Sequence, residues 1–156
     1  MLLEMDRFKL LQGIYKKQLP IIERLYGQIR VLDLNAEDKC YVFSLKAQQL
    51  YTAVEDLLKA TAKSFENQLD DTSTYHIELL RRMATEVSGI RPAILSDPGL
   101  KVLDKLRAFR HFIRHAYDYE LDVEELKFLQ NRLNNNFESV IEDFKRFNIF
   151  LDGLAK

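Results

Sequence analysis

The chain has 156 residues, 47% hydrophobic and 30% charged, with 5 glycines, 3 prolines and a formal net charge of -1. This length and apolar content support one domain, residues 1–156, with a real core, and exclude a disordered chain. The near-neutral balance excludes a globally basic surface, so any contact with nucleic acid must come from a local patch. A single cysteine, Cys40, excludes an internal disulfide and, with only 3 histidines, argues against a Cys/His zinc site, so neither metal nor cofactor is expected. Residues 1–7 carry too many charges for a signal peptide, and no stretch approaches the roughly 20 apolar residues of a membrane span. A cytoplasmic location with no membrane partner is the expectation.

Apolar residues recur at spacings of three and four almost throughout, which predicts an all-α, up-and-down bundle of about five helices. The first helix is expected over about residues 2–32, with Phe8, Leu11, Tyr15, Ile22, Leu25 and Ile29 inward and Pro20 kinking or dividing it. Asn35 and Asp38 resemble a capping box for a second helix, about 36–69, whose buried stripe is Phe43, Leu50, Val54, Leu57, Thr61 and Phe65. Residues 70–74 are polar and supply a cap for a shorter helix over 75–88, closed by Gly89. Residues 90–95 read as a loop that packs its aliphatic side chains, since Pro92 disfavours a continuous helix. Asp97 and Pro98 then look like an N-cap followed by proline at the first helical position, so the fourth helix runs from about 98 to 119. Asp122 and Glu125 open a long last helix with Leu126, Leu129, Leu133, Phe137, Ile141 and Phe144 inward, and Asn134–Asn136 as its weakest point.

The fourth helix holds the most informative segment, Arg110-His-Phe-Ile-Arg-His-Ala-Tyr117. At 100° per residue, Val102, Leu106, Phe109, Phe112, Ile113 and Ala116 gather on one arc, while Arg107, His111, Arg114, His115 and Asp118 gather on the other. Arg110 and Tyr117 share a border between them. Wet faces normally carry lysine and glutamate, yet this one carries arginine and histidine. Arginine offers a planar fork of donors for phosphate oxygens, and histidine exchanges a proton near neutral pH. Cleavage of RNA without a metal needs that pairing: a base takes the ribose 2′-OH proton, and a cation stabilises charge building on the phosphate. His115 would move the proton and Arg110 would anchor the phosphate. Five residues apart, the two are offset by about 140°, so they do not stack as an i,i+4 pair would. Two copies facing across a two-fold axis would bring both pairs into one cleft, which points to a homodimer with a composite site. A solvated helix face, or one ion-paired with the acidic last helix, would look the same in sequence.

The segment Arg110 to Tyr117 resembles the Arg-x4-His-x-Tyr signature of HEPN-domain ribonucleases, specifically HepT-like toxins of toxin–antitoxin pairs. The likeness spans about residues 40–125, with the signature segment at 98–122, and follows the order Leu50-Tyr-Thr-Ala-Val-Glu55, Tyr75-His-Ile-Glu-Leu-Leu, Gly89-Ile-Arg-Pro-Ala-Ile-Leu95 and Phe109 onward. It implies a HEPN-like helical homodimer that cleaves single-stranded or loop RNA through Arg110 and His115, with His111 and Arg114 in support. It further implies a nucleotidyltransferase antitoxin as partner and Tyr117 as the tyrosine that this antitoxin modifies with AMP, with Tyr119 the less favoured alternative. Glu55 resembles an acidic residue of the second helix in relatives, where it could orient a site histidine or arginine; its angle also fits an ion pair at the rim of the core. His76 reads as a structural first-turn residue, Tyr51 and Tyr75 as core aromatics with hydroxyls reaching out, and Cys40 as a packing residue. The alternative is a non-catalytic module that keeps the fold to bind RNA or protein.

Overall fold

The computed structural model describes residues 4–66, 75–116 and 120–155. Within them lie five helices and no strand: α1 (Glu4–Arg30), α2 (Glu37–Glu66), α3 (Tyr75–Met83), α4 (Asp97–His115) and α5 (Val123–Leu154). Long-range hydrogen bonds fix the directions. Arg7 reaches the Ser64 carbonyl and Gln18 Nε2 donates to the Ala53 carbonyl, so α1 and α2 run antiparallel. Gln12 bonds Asp152 while Gln130 Nε2 donates to the carbonyls of Ile29 and Leu32, so α5 is antiparallel to α1 as well. Helix α4 packs on α2 and α5, and the short α3 leans on α2 and α4.

The inward stripes expected from periodicity are the ones the bundle buries. Leu11, Tyr15, Ile22 and Ile29 of α1 face Phe43, Leu50, Val54 and Leu57 of α2 and Leu133, Phe137 and Phe144 of α5, all sealed from solvent. Each such side chain contributes about 1.5–3 kcal/mol by leaving water. One end of the core is aromatic: Phe8 stacks on Phe65 with centroids 4.9 Å apart, and Phe65, Phe147 and Phe150 pack in turn against one another. Cys40 is buried with its Sγ 3.3 Å from the Leu34 carbonyl, the packing role expected of it.

Several local expectations are corrected. Pro20 does not divide α1, which runs unbroken through it. Pro20 and Lys16 both lie on the wet side, where water can serve the Lys16 carbonyl that proline leaves without a donor. Asn35 is no capping residue: its Oδ1 accepts from Lys127 Nζ at 2.7 Å, tying the start of α2 to the start of α5. Helix α3 ends at Met83, well short of residue 88. The carbonyls of Arg82 and Thr85, which a continuing helix would use, accept from the Arg91 guanidinium instead. Gly89, at φ +76°, makes the turn that brings Arg91 back to pair with Val87. The cap of α4 is Ser96, one residue before the expected Asp97; its side chain accepts from Gly99 N–H, and Pro98 falls in the first turn. Asp122 does cap α5, which continues without a break through Asn134–Asn136. Residues 67–74, which include the expected cap of α3, lie outside the described residues. No helix among the described residues is long and apolar enough to cross a membrane.

Candidate active site

Helix α4 goes into the core at one end and out of it at the other. Val102, Leu103 and Leu106 are buried and Phe109 is half-buried, but Phe112, expected on the inner arc, is 41% exposed. Angular position tells which way a side chain points but not whether a neighbour is there to cover it. The signature residues therefore stand where the helix leaves the bundle.

Arg110 is held from below by α2. Its guanidinium carbon lies 5.5 Å from the centroid of the Tyr51 ring, and Nη1 lies 4.0 Å from Glu55 Oε1. Stacking on an aromatic face and attraction to a carboxylate orient the fork, and among the described residues no hydrogen bond occupies its N–H donors. Glu55 is the hub of this corner. It sits on the buried face of α2, 2% exposed, rather than at its rim. A carboxylate so placed needs partners, and three side chains from three helices supply them. His76 Nδ1 of α3 lies 2.7 Å from Oε2, Lys59 Nζ one turn along α2 lies 3.4 Å from Oε1, and Arg110 of α4 is the third. Lys59 also covers the ring of Tyr75 at 5.2 Å.

Tyr51 is fully buried and its hydroxyl does not reach solvent, against expectation. Burial first, and then the negative charge of Glu55, hold that hydroxyl neutral well above the ordinary tyrosine range.

His115 is placed differently. It is exposed at the end of α4, its Nδ1 lies 2.8 Å from the His111 carbonyl, and the two imidazole rings are 4.5 Å apart. A carbonyl can only accept, so Nδ1 carries the proton and the lone pair of the neutral ring is on Nε2, the nitrogen a base needs. Arg110 and His115 share no hydrogen bond or ring contact among the described residues. Arg114, one turn from Arg110, joins it along an open groove between α1, α2 and α4. Arg110, at the border of the basic arc, thus pairs with α2 through Glu55, while Arg107 of the arc pairs with Asp104 on its own helix. Tyr117 and Tyr119 lie outside the described residues.

Two members of this corner escaped the sequence reading. His76 does sit in the first turn of α3, but its link to Glu55 spans 21 residues of chain and has no local signal. Lys59 had one, its i,i+4 spacing from Glu55.

Comparison with curated proteins and with solved structures returns no match. The family model described as HepT-like protein matches residues 43–151, from the middle of the first turns of α2 to the last turn of α5, and so takes in Glu55, His76, Arg110 and His115 together. The chain belongs to the family of HepT-like proteins, of HEPN type.

Proposed function

We propose that this HepT-like protein is a metal-independent endoribonuclease toxin that acts as a homodimer on single-stranded or loop RNA. The observation that carries the reading is the state in which the two key groups are held. Arg110 is oriented by the Tyr51 ring and the Glu55 carboxylate with donors to spare for phosphate oxygens, and His115 has its Nδ1 proton engaged so that Nε2 is the basic nitrogen. A fixed cation and a poised base are what attack by a ribose 2′-OH requires. Because one chain leaves the two groups without mutual contact, the complete site takes Arg110 from one subunit and His115 from its partner. His111 and Arg114 flank that site. In the same proposal a nucleotidyltransferase antitoxin restrains the toxin in the cytoplasm by transferring AMP to Tyr117, whose bulk and charge would block RNA.

The protein, freed of any partner, is expected to cut RNA in EDTA and to leave cyclic phosphate ends. Arg110→Ala and His115→Ala should each abolish cutting, and a mixture of the two variants should recover part of it, since a mixed dimer rebuilds one whole composite site. Undiminished cutting by both variants removes the assignment. RNA binding without any cutting would favour the non-catalytic module.

A further inference from the structure

The groove beside Arg110 takes in residues outside the signature. It lies between α1, α2 and α4 and is open to solvent, with about 550 Å³ of room, within the size range of small-ligand sites. Three guanidinium groups from two helices line it: Arg24 of α1, and Arg110 and Arg114 of α4. Arg110 is balanced by Glu55, but neither Arg24 nor Arg114 has a carboxylate partner among the described residues. Between these cations the wall sets polar side chains among apolar Ile21, Leu25 and Ala53. Gln18 and Gln48 line it, each spending one amide N–H on a carbonyl, of Ala53 at 3.0 Å and of Ser44 at 3.3 Å, which orients the amide and leaves its Oε1 without a hydrogen-bond donor among the described residues. Asp56, exposed on the next turn of α2, adds a carboxylate.

Unpaired arginines alone would describe a site for any anion. Arginines that share a groove with a carboxylate and oriented amide oxygens describe something narrower, a ligand that is anionic and also donates hydrogen bonds. A strand of RNA with a splayed-out base has that chemistry, since bases in single strands are read on their donor and acceptor edges. An acidic side chain selects a base that carries an exocyclic amine, such as cytosine, adenine or guanine, over uracil, which has none.

We propose that this groove is a nucleotide subsite next to the scissile linkage, in which Arg24 and Arg114 hold the flanking phosphate while Gln18, Gln48 and Asp56 accept from an amine-bearing base. The inference rests on the ribonuclease reading for its place beside the reacting bond, but the binding it describes does not depend on cleavage. A single-stranded RNA with 2′-O-methyl groups cannot supply the attacking hydroxyl, and so it measures binding alone. Followed by fluorescence anisotropy, Arg24→Ala and Arg114→Ala should each weaken its affinity about threefold or more and lower the slope of log affinity against log salt by about 1. Asp56→Asn should narrow the preference for amine-bearing over uridine oligomers. Affinity, salt slope and base preference unchanged in all three variants would overturn the subsite even if the wild-type protein cuts RNA. Losses in these variants would uphold it even if cutting is never seen.

Discussion

Glu55 and Arg110 meet across the α2–α4 seam, with the arginine Nη1 4.0 Å from a carboxylate oxygen whose side chain is only 3% exposed. The contact is loose as ion pairs go. It matters because Glu55 is shared with His76 and Lys59, so one buried charge sets the place of three cationic or polar groups from three helices.

Replacing Glu55 by alanine should therefore cost stability and activity together. The charge is buried but its partners are partly wet and can turn to water, so the loss should fall near the lower end of the range for broken buried pairs, about 3 kcal/mol. Glu55→Gln keeps the shape and a single hydrogen bond, so it should stay folded and show the positioning effect by itself: a lower kcat for RNA with little change in melting temperature. Chemical denaturation and cleavage assays on both variants check this, and a Glu55→Gln protein with wild-type kcat would contradict it.

Arg91 is a second buried charge, and its work is structural. Its side chain is wholly buried and donates to Glu66 and to the carbonyls of Arg82, Thr85 and Pro92, replacing the helical hydrogen bonds that α3 gives up. Arg91→Ala should lower unfolding free energy by about 3–5 kcal/mol, and Arg91→Lys should recover little, because one ammonium cannot reach partners spread around a planar fork. Urea melts of the two variants would show it.

Gly99 lies against Asp143, whose Oδ2 accepts from both the backbone N–H and the hydroxyl of Ser96 at 2.8 Å. A methyl group at Gly99 would overlap that carboxylate oxygen. Gly99→Ala should thus destabilise by about 1–3 kcal/mol despite alanine's better helix propensity. In combination with Asp143→Ala the added cost of Gly99→Ala should largely vanish, which a double-mutant cycle measures.

Alkaline pH should unfold the protein through its buried tyrosines. The hydroxyls of Tyr15 and Tyr51 are both pushed above the ordinary tyrosine range, chiefly by burial. Above about pH 10 the unfolded chain gives up these protons while the folded chain keeps them, so the unfolded state gains and stability falls by about 1.4 kcal/mol per pH unit for each group. Below that pH the contribution is fully present. Tyr15→Phe with Tyr51→Phe should flatten the decline seen by denaturant melts between about pH 10 and 12.

The five helices and the direction each apolar stripe faces were legible in the sequence, because a repeat of three and four is a property of each helix alone; whether a stripe is covered along its whole length, as it is not at Phe112, depends on its neighbours. The sequence also carried the signature Arg110 and His115, which are close in the chain. Local chemistry of lesser weight was legible only to within a residue or a turn: the cap of α4 is Ser96 instead of Asp97, and α3 stops early, its Arg82 carbonyl taken by Arg91 and its Met83 carbonyl by the backbone N–H groups of Ile94 and Leu95. The tertiary structure alone decided that Glu55 is sealed in and joined to His76 and Arg110, and that Arg24 of the first helix stands in one groove with Arg114 of the fourth. Those meetings join residues far apart in the chain, and no periodicity encodes them; they follow only from which helix packs beside which, and from how far each extends beyond its neighbours.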